Sequence, residues 1–184
     1  MKITGTAIKG SYCLSPDIIG DDRGFFYRTF CRDELKQEGI TLDEIVQVNH
    51  SFNKRMGTFR GFHFQYPPFA EEKIVKCIKG EVLDIILDLR KGSGTFLKYE
   101  TVLLSEENKR SVLIPKGCAH GFITLKENCE LTYLHTQYYK PEFEGGVSIL
   151  DPLLKIELPI EIIEISDKDK DRNFLPIDFN GIEI

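Results

Sequence analysis

No run of apolar residues in this chain approaches the length that a membrane-crossing helix needs. The first residues, MKITGTAIKGSYCL, also lack the continuous apolar core of a secretory leader. Positive charge is in short supply: 24 Lys and Arg against 29 Asp and Glu leave a net charge of −5. With a pI near 5.5, that balance excludes a general nucleic-acid binder, which would be basic. The five cysteines, at 13, 31, 77, 118 and 129, are odd in number, widely spaced and without a C-x-x-C pair. Such spacing excludes a disulfide framework and suits the reduced thiols of a cytoplasmic protein. Tryptophan is absent altogether, and no repeat, low-complexity segment or linker interrupts the chain. The expectation is a soluble cytoplasmic protein with neither nucleic acid nor membrane as partner.

What the sequence does hold is a succession of short strand-like runs. Its 184 residues, 41% of them hydrophobic, suffice for one domain with a real core. The one credible helix in the first half covers residues 32–38. Asp33 and Glu34 lie in its first turn, Lys36 comes later, and Gly39 stands where a glycine ends a helix. Strands are expected over 46–52, 59–65, 74–78, 82–89, 95–104, 111–114, 122–125 and 130–138, with one or two more before residue 20 and another after a turn at 21–24. About ten short strands separated by turn residues argue for an all-β jelly-roll or barrel with a few short helices. We expect a single domain over 1–184, with the barrel at about 20–140 and a loop-rich tail, 141–184, packed on it. That tail should contain a strand near 160–165 and a polar turn or helix from Ser166. An N-terminal strand with few local partners suits pairing with a neighbouring subunit, hence a homodimer.

The stretch from Gly57 to Gly80, GTFRGFHFQYPPFAEEKIVKCIKG, is where chemistry concentrates. Period-two alternation places Gly61, His63 and Gln65 on one strand face. The spacing matches the first cupin motif, and Pro115, Gly117 and His120 match the second. Two of the positions that would ligate a metal, however, hold Gln65 and Lys73. A divalent ion wants imidazoles and carboxylates, and an ammonium repels it. A metal-free acid–base site is therefore expected, with no metal and no cofactor: His63 can exchange a proton near neutral pH, and Lys73 can hold a developing oxyanion. Asp84, on the less apolar face of its strand, is a natural partner for Lys73 if that face looks into the barrel. Arg23 and Arg28 flank an aromatic run, which suits either solvated side chains or contacts to a nucleotide phosphate.

Taken in order, D-x-R-G-F-F, Q-x-N-x-S, R-G-x-H-F-Q, Lys73, G-E-V-x-D, D-L-R-x-x-S, L-S-x-x-N-K-R, I-P-x-G-x-A-H-G-F, Y-Y-x-P, D-P and S-x-K-D run from Asp21 to Asp169. With them the sequence resembles the dTDP-4-dehydrorhamnose 3,5-epimerase family, whose fold is a cupin-like jelly-roll. The resemblance implies epimerisation at C3, C5 or both of a nucleotide-linked 4-keto-6-deoxy sugar, in activated-sugar synthesis for surface polysaccharide. The C4 ketone acidifies the neighbouring protons, and removal gives an enolate that is reprotonated on the other face. The resemblance assigns His63 as base, Asp169 as its orienting partner, Tyr133 as acid and Lys73 as holder of the C4 oxyanion. It places Arg23, Arg60, Gln47, Asn49, His120, Glu144 and Lys168 against the substrate. His50 and His135 have no supporting pattern and read as surface or packing residues.

Three departures from the family pattern stand out. Arg28 occupies a position where the family carries a glutamate, and an arginine fork suits guanine O6 and N7; this leaves dTDP or GDP as the nucleotide. Leu134 replaces a common lysine, and G-V-S-I-L-D-P stands where a tryptophan-bearing stretch is usual. A nucleotide-sugar 3,4-ketoisomerase is the alternative enzyme, and a non-catalytic sugar-binding cupin the alternative of another kind. A metal-dependent oxygenase is disfavoured by Gln65 and Lys73.

Overall fold

The computed structural model describes residues 1–184 and is built almost entirely from antiparallel strands. They are β1 (Lys2–Gly5), β2 (Tyr12–Ser15), β3 (Ile19–Asp21), β4 (Gly24–Phe26), β5 (Gln47–Asn53), β6 (Thr58–Gln65) and β7 (Lys73–Lys79). Then come β8 (Glu81–Asp88), β9 (Tyr99–Ser105), β10 (Ser111–Ile114), β11 (Cys118–Thr124), β12 (Cys129–His135), β13 (Glu144–Gly146) and β14 (Glu164–Ile165). Helix α1 (Arg32–Gln37) matches its expected place, and α2 (Asp167–Lys170) forms where a polar turn or helix from Ser166 was expected. No helix is long and apolar enough to cross a membrane.

Two sheets face each other. One runs β1-β2-β10-β7-β12-β5; the other runs β13-β6-β11-β8-β9, with β14 added in parallel to β6. Period-two alternation explains the layering. Val75, Cys77, Val82, Ile86, Leu104, Phe122 and Leu131 turn between the sheets and form one buried cluster. The opposite face of β8, carrying Ile85 and Leu87, packs with Phe59, Phe62 and Phe64 beneath the tail residues Val147, Ile149, Leu154 and Ile182. A third cluster, with Ile74, Leu113 and Leu35, lets α1 and the loop after it cover the outer face of the first sheet. The expected all-β, cupin-like jelly-roll is the observed architecture, and Val147, Ile149, Leu154 and Ile182 pack with the outer faces of β6 and β8.

Several boundaries differ from expectation for local reasons. Residues 95–98 are a turn, because the hydroxyls of Ser93 and Thr95 each donate to Asp88 Oδ2 at 2.6 Å and hold the chain before β9. The strand expected from 122 starts earlier, since β11 begins directly after Gly117, and His120 lies within it. β12 ends at His135, three residues early, where the Thr136 hydroxyl exchanges hydrogen bonds with the Glu72 backbone. The N-terminal strand is not short of local partners, because β1 pairs with β2 and β2 with β10. It is the β3–β4 hairpin that stands apart as a two-stranded sheet, with Ile19, Phe25 and Phe26 each more than half exposed.

The simple alternation expected for β6 is also broken, and the break shapes the cavity. Gly61 has φ +134°, a region L side chains rarely adopt, and the β6–β11 register shifts opposite it between His120 and Phe122. Phe59 and Phe62 consequently both face the outer cluster, while Arg60 and His63 both reach the cavity. A Cβ at Gly61 would sit 2.5 Å from the Gly121 Cα, so the close approach of β6 to β11 needs glycine here.

Candidate active site

At one end of the sandwich the two sheets part around a cavity of about 610 Å³. The first sheet contributes Asn49, Lys73 and Tyr133, which are brought level by the pairings Tyr133↔Asn49 and His135↔Lys73. The second contributes Arg60, His63 and His120, with His63 directly across from His120. Glu144 on β13 and Lys168 on α2 close the rim.

His63 is held from behind. Its Nε2 lies 2.5 Å from Asp169 Oδ1, and the other carboxylate oxygen accepts the Gly61 amide at 3.2 Å. Ser166 caps α2 by accepting the Asp169 amide, so this short helix exists to deliver one carboxylate. Burial would raise the Asp169 pKa. The bond to His63, the His63 charge and the Gly61 and Ser166 donors outweigh it and hold the carboxyl below its usual value. An imidazole half open to the cavity and backed by a carboxylate is equipped to take up a proton.

Tyr133 approaches from the other sheet, its hydroxyl 2.9 Å from Ser51 Oγ. Burial pushes its pKa well above that of free tyrosine, only partly offset by the Ser51 bond. It is therefore a neutral O–H donor at physiological pH. Lys73 is buried, and its ion-pair partner is Glu71 at 3.0 Å.

The pairing expected between Lys73 and Asp84 is not formed. The Asp84 face does look into the barrel, but its Oδ2 bonds His120 Nε2 at 2.7 Å, and its Oδ1 is buried without a partner. Burial lowers the His120 pKa, against the opposing pull of Asp84. Strand alternation fixes which face a side chain takes but not which neighbour it meets. A lysine has reach enough to choose a carboxylate two residues away.

Glu144 gathers three donors: the Tyr139 hydroxyl at 2.5 Å, Lys168 Nζ at 2.7 Å and the Arg172 guanidinium. Burial opposes ionisation, yet these three donors bring its pKa down to about 2. Arg60 lines the cavity and donates through Nε to Asn53 Oδ1 at 2.6 Å. Gln47 lies beside the cavity, bonded to Asn49 at 3.1 Å. Gln65, standing at a cupin ligand position, spends its amide on the carbonyls of Phe69 and Tyr138 and on the Lys140 N–H. That makes it a loop clamp.

Arg23 and Arg28 are not brought to the cavity of their own chain. Arg23 pairs with Asp21 at 2.5 Å on the detached hairpin, and Arg28 pairs with Glu34 at 2.5 Å. The guanine-reading fork expected of Arg28 is thus engaged elsewhere. Several cavity residues were missed by sequence reasoning, among them His50, also read as surface or packing, and Ser51, the Tyr133 partner; two of them bear on Lys73. His135, read as surface or packing, lines the cavity and bonds Glu71 through Nδ1 at 2.7 Å. Glu71 itself falls in no motif. The available signal was Glu71 two residues before Lys73, with His135 two after Tyr133 on the same face.

A sequence-family model described as dTDP-4-dehydrorhamnose 3,5-epimerase matches residues 5–176. The dTDP-4-dehydrorhamnose 3,5-epimerase of Salmonella typhimurium strain LT2 is 42% identical over 173 residues, 92% of each chain. Among solved structures, the dTDP-4-dehydrorhamnose 3,5-epimerase of Bacillus anthracis str. Ames, with TDP and PPi bound, superposes with a TM-score of 0.91 at 38% identity. That match covers 95% of this chain and 99% of that one. The dTDP-6-deoxy-D-glucose-3,5-epimerase of Legionella pneumophila Philadelphia 1, in complex with dTDP-4-keto-L-rhamnose, gives 0.88 at 40% identity, covering 94% and 92%.

Proposed function

Because the chain belongs to the dTDP-4-dehydrorhamnose 3,5-epimerase family, we propose that it epimerises a dTDP-linked 4-keto-6-deoxy sugar at C3 and C5. The observation that carries this reading is that His63 and Tyr133 enter one cavity from opposing sheets. Epimerisation needs a base on one face of the sugar ring and an acid on the other. His63, oriented by Asp169, takes the proton next to the C4 ketone. The electron pair moves into the enolate, and its oxyanion rests against the Lys73 ammonium. Tyr133 then delivers a proton from the opposite side, and the same pair serves the second centre after the ring has turned. Retention of Lys73 and Tyr133 together favours this over a 3,4-ketoisomerase, and the full acid–base set speaks against a silent sugar-binding barrel.

Arg60, Gln47, Asn49, His120, Glu144 and Lys168 make up the substrate wall in this reading. The nucleotide is dTDP: Arg28 is paired with Glu34 and gives no support to guanine. Arg23 and Arg28 enter through assembly. The apolar, detached β3–β4 hairpin that carries Arg23 suits docking on a second copy, and a homodimer measured by light scattering is the expected state.

Incubation with the dTDP- and GDP-linked 4-keto-6-deoxy sugars, with products resolved by chromatography and NMR, tests the proposal. Inversion at both centres of the dTDP sugar is expected. Turnover of the GDP sugar alone, or migration of the carbonyl to C3, would overturn it.

A further inference from the structure

A continuous polar chain crosses the first sheet to the buried ammonium. The Tyr139 backbone N–H donates to Gln47 Oε1 at 3.2 Å, and Gln47 Nε2 donates to Asn49 Oδ1 at 3.1 Å. Asn49 Nδ2 lies 3.3 Å from His135 Nε2, His135 Nδ1 lies 2.7 Å from Glu71 Oε2, and Glu71 Oε1 lies 3.0 Å from Lys73 Nζ. Its polarity is decided at the first link, because a backbone N–H can only donate. Gln47 must therefore present oxygen to Tyr139 and NH2 to Asn49, which must in turn present its own NH2 to His135. His135 Nε2 is left as an acceptor, so the ring proton sits on Nδ1 and points at Glu71.

We propose that Glu71 and His135 are positioning residues for the reaction, with His135 as a neutral Nδ1–H donor that fixes Glu71 so that Glu71 fixes the Lys73 ammonium beneath the developing oxyanion. The proposal rests on the function assigned to Lys73 above. The geometry supports it, and the ionisation of Glu71 agrees with it. Glu71 is the one carboxylate paired with Lys73, whose side chain is only 7% exposed. Glu71 is also ionised despite burial: desolvation would raise its pKa, but Lys73 and His135 together bring it down to about 2. The charged and titratable groups facing His135 are Glu71 from the loop before β7, Lys73 across on β7, and Tyr133 stacked beside it on β12 at 6.2 Å. β5 presents the amides of Gln47 and Asn49. Protonating Nε2 would set a donor against the Asn49 NH2. Relief would require both amides to turn over, ending with the Gln47 NH2 against the Tyr139 N–H.

Glu71→Gln, His135→Phe and His135→Asn, compared in the full-length protein, test the relay. Asparagine is the informative change, because its NH2 occupies the place of Nδ1–H while phenylalanine fills the ring volume without a donor. We expect Glu71→Gln and His135→Phe to lower kcat about 10²-fold through a misaimed ammonium, with KM little changed. His135→Asn should recover most of the lost kcat. Imidazole 15N shifts of the unliganded protein at neutral pH, assigned by the signal lost in His135→Asn, should show the neutral Nδ1–H tautomer. An Nε2–H tautomer, an unchanged kcat in Glu71→Gln, or His135→Asn no better than His135→Phe would each overturn the relay. Absence of turnover in the unsubstituted protein would overturn the assigned function instead, and the 15N tautomer would still decide the relay.

Discussion

Two histidine–carboxylate pairs face each other across neighbouring strands, and they differ in almost everything but composition. His63 leans into the cavity, half exposed, and its carboxylate comes from a different part of the chain, the helix α2. His120 is buried against Asp84 on the adjacent strand β8, and that carboxylate has an oxygen with no partner. The first pair opens to the cavity and has a donor network that keeps Asp169 ionised. The second is nearly buried in the cavity wall, and burial resists a charge on its imidazole. In the proposed reading, identical side chains serve as a base or as a wall of the cavity according to solvent access and the origin of the partner.

Removing the members of the two pairs and the facing tyrosine in turn should separate their roles. His63→Asn should lower epimerisation about 10³-fold, and Asp169→Asn somewhat less, both read as initial rates. Replacing Tyr133 by Phe should slow product formation about 10²-fold while loss of the substrate proton to solvent suffers less; comparing deuterium wash-in with product yield separates the two steps. His120→Ala should instead show its main effect in urea unfolding, at about 3 kcal/mol, because Asp84 is left buried without its bond.

A smaller effect sharpens the same contrast. The folded-state pKa of His120 lies below the ordinary value of 6.5, so below pH 6.5 the unfolded chain binds a proton that the folded one refuses. Stability should therefore fall as pH drops below that value. Glu71 and Glu144, held near 2 against a usual 4.5, add to the loss only below about pH 4.5. Urea midpoints measured down this pH range should show the first step vanish in a His120→Gln variant.

The layers of this fold were legible because alternation is a local signal: Leu83, Ile85 and Leu87 announce one face of β8 and Val82 and Ile86 the other. His63, Lys73, Tyr133 and Asp169 could be singled out because ordered motifs carry them, and the structure draws all four towards one cavity. Partners were harder. Asp84 and Glu71 are both in reach of the barrel interior, and only the β8–β11 pairing decides that Asp84 meets His120. The slip at Gly61, which turns both Arg60 and His63 inwards, was hidden because one irregular residue changes phase without changing composition. His135 escaped for a similar reason: its importance lies in Glu71 and Asn49, which are distant in sequence.

The measurement that tests the account most directly is proton NMR of a dTDP-linked 4-keto-6-deoxy sugar in deuterated water, run with the unsubstituted protein and with His63→Asn and His120→Asn. Both the C3 and C5 signals should be lost with the unsubstituted protein and with His120→Asn, and should persist with His63→Asn. Exchange that survives in His63→Asn but disappears in His120→Asn would contradict it.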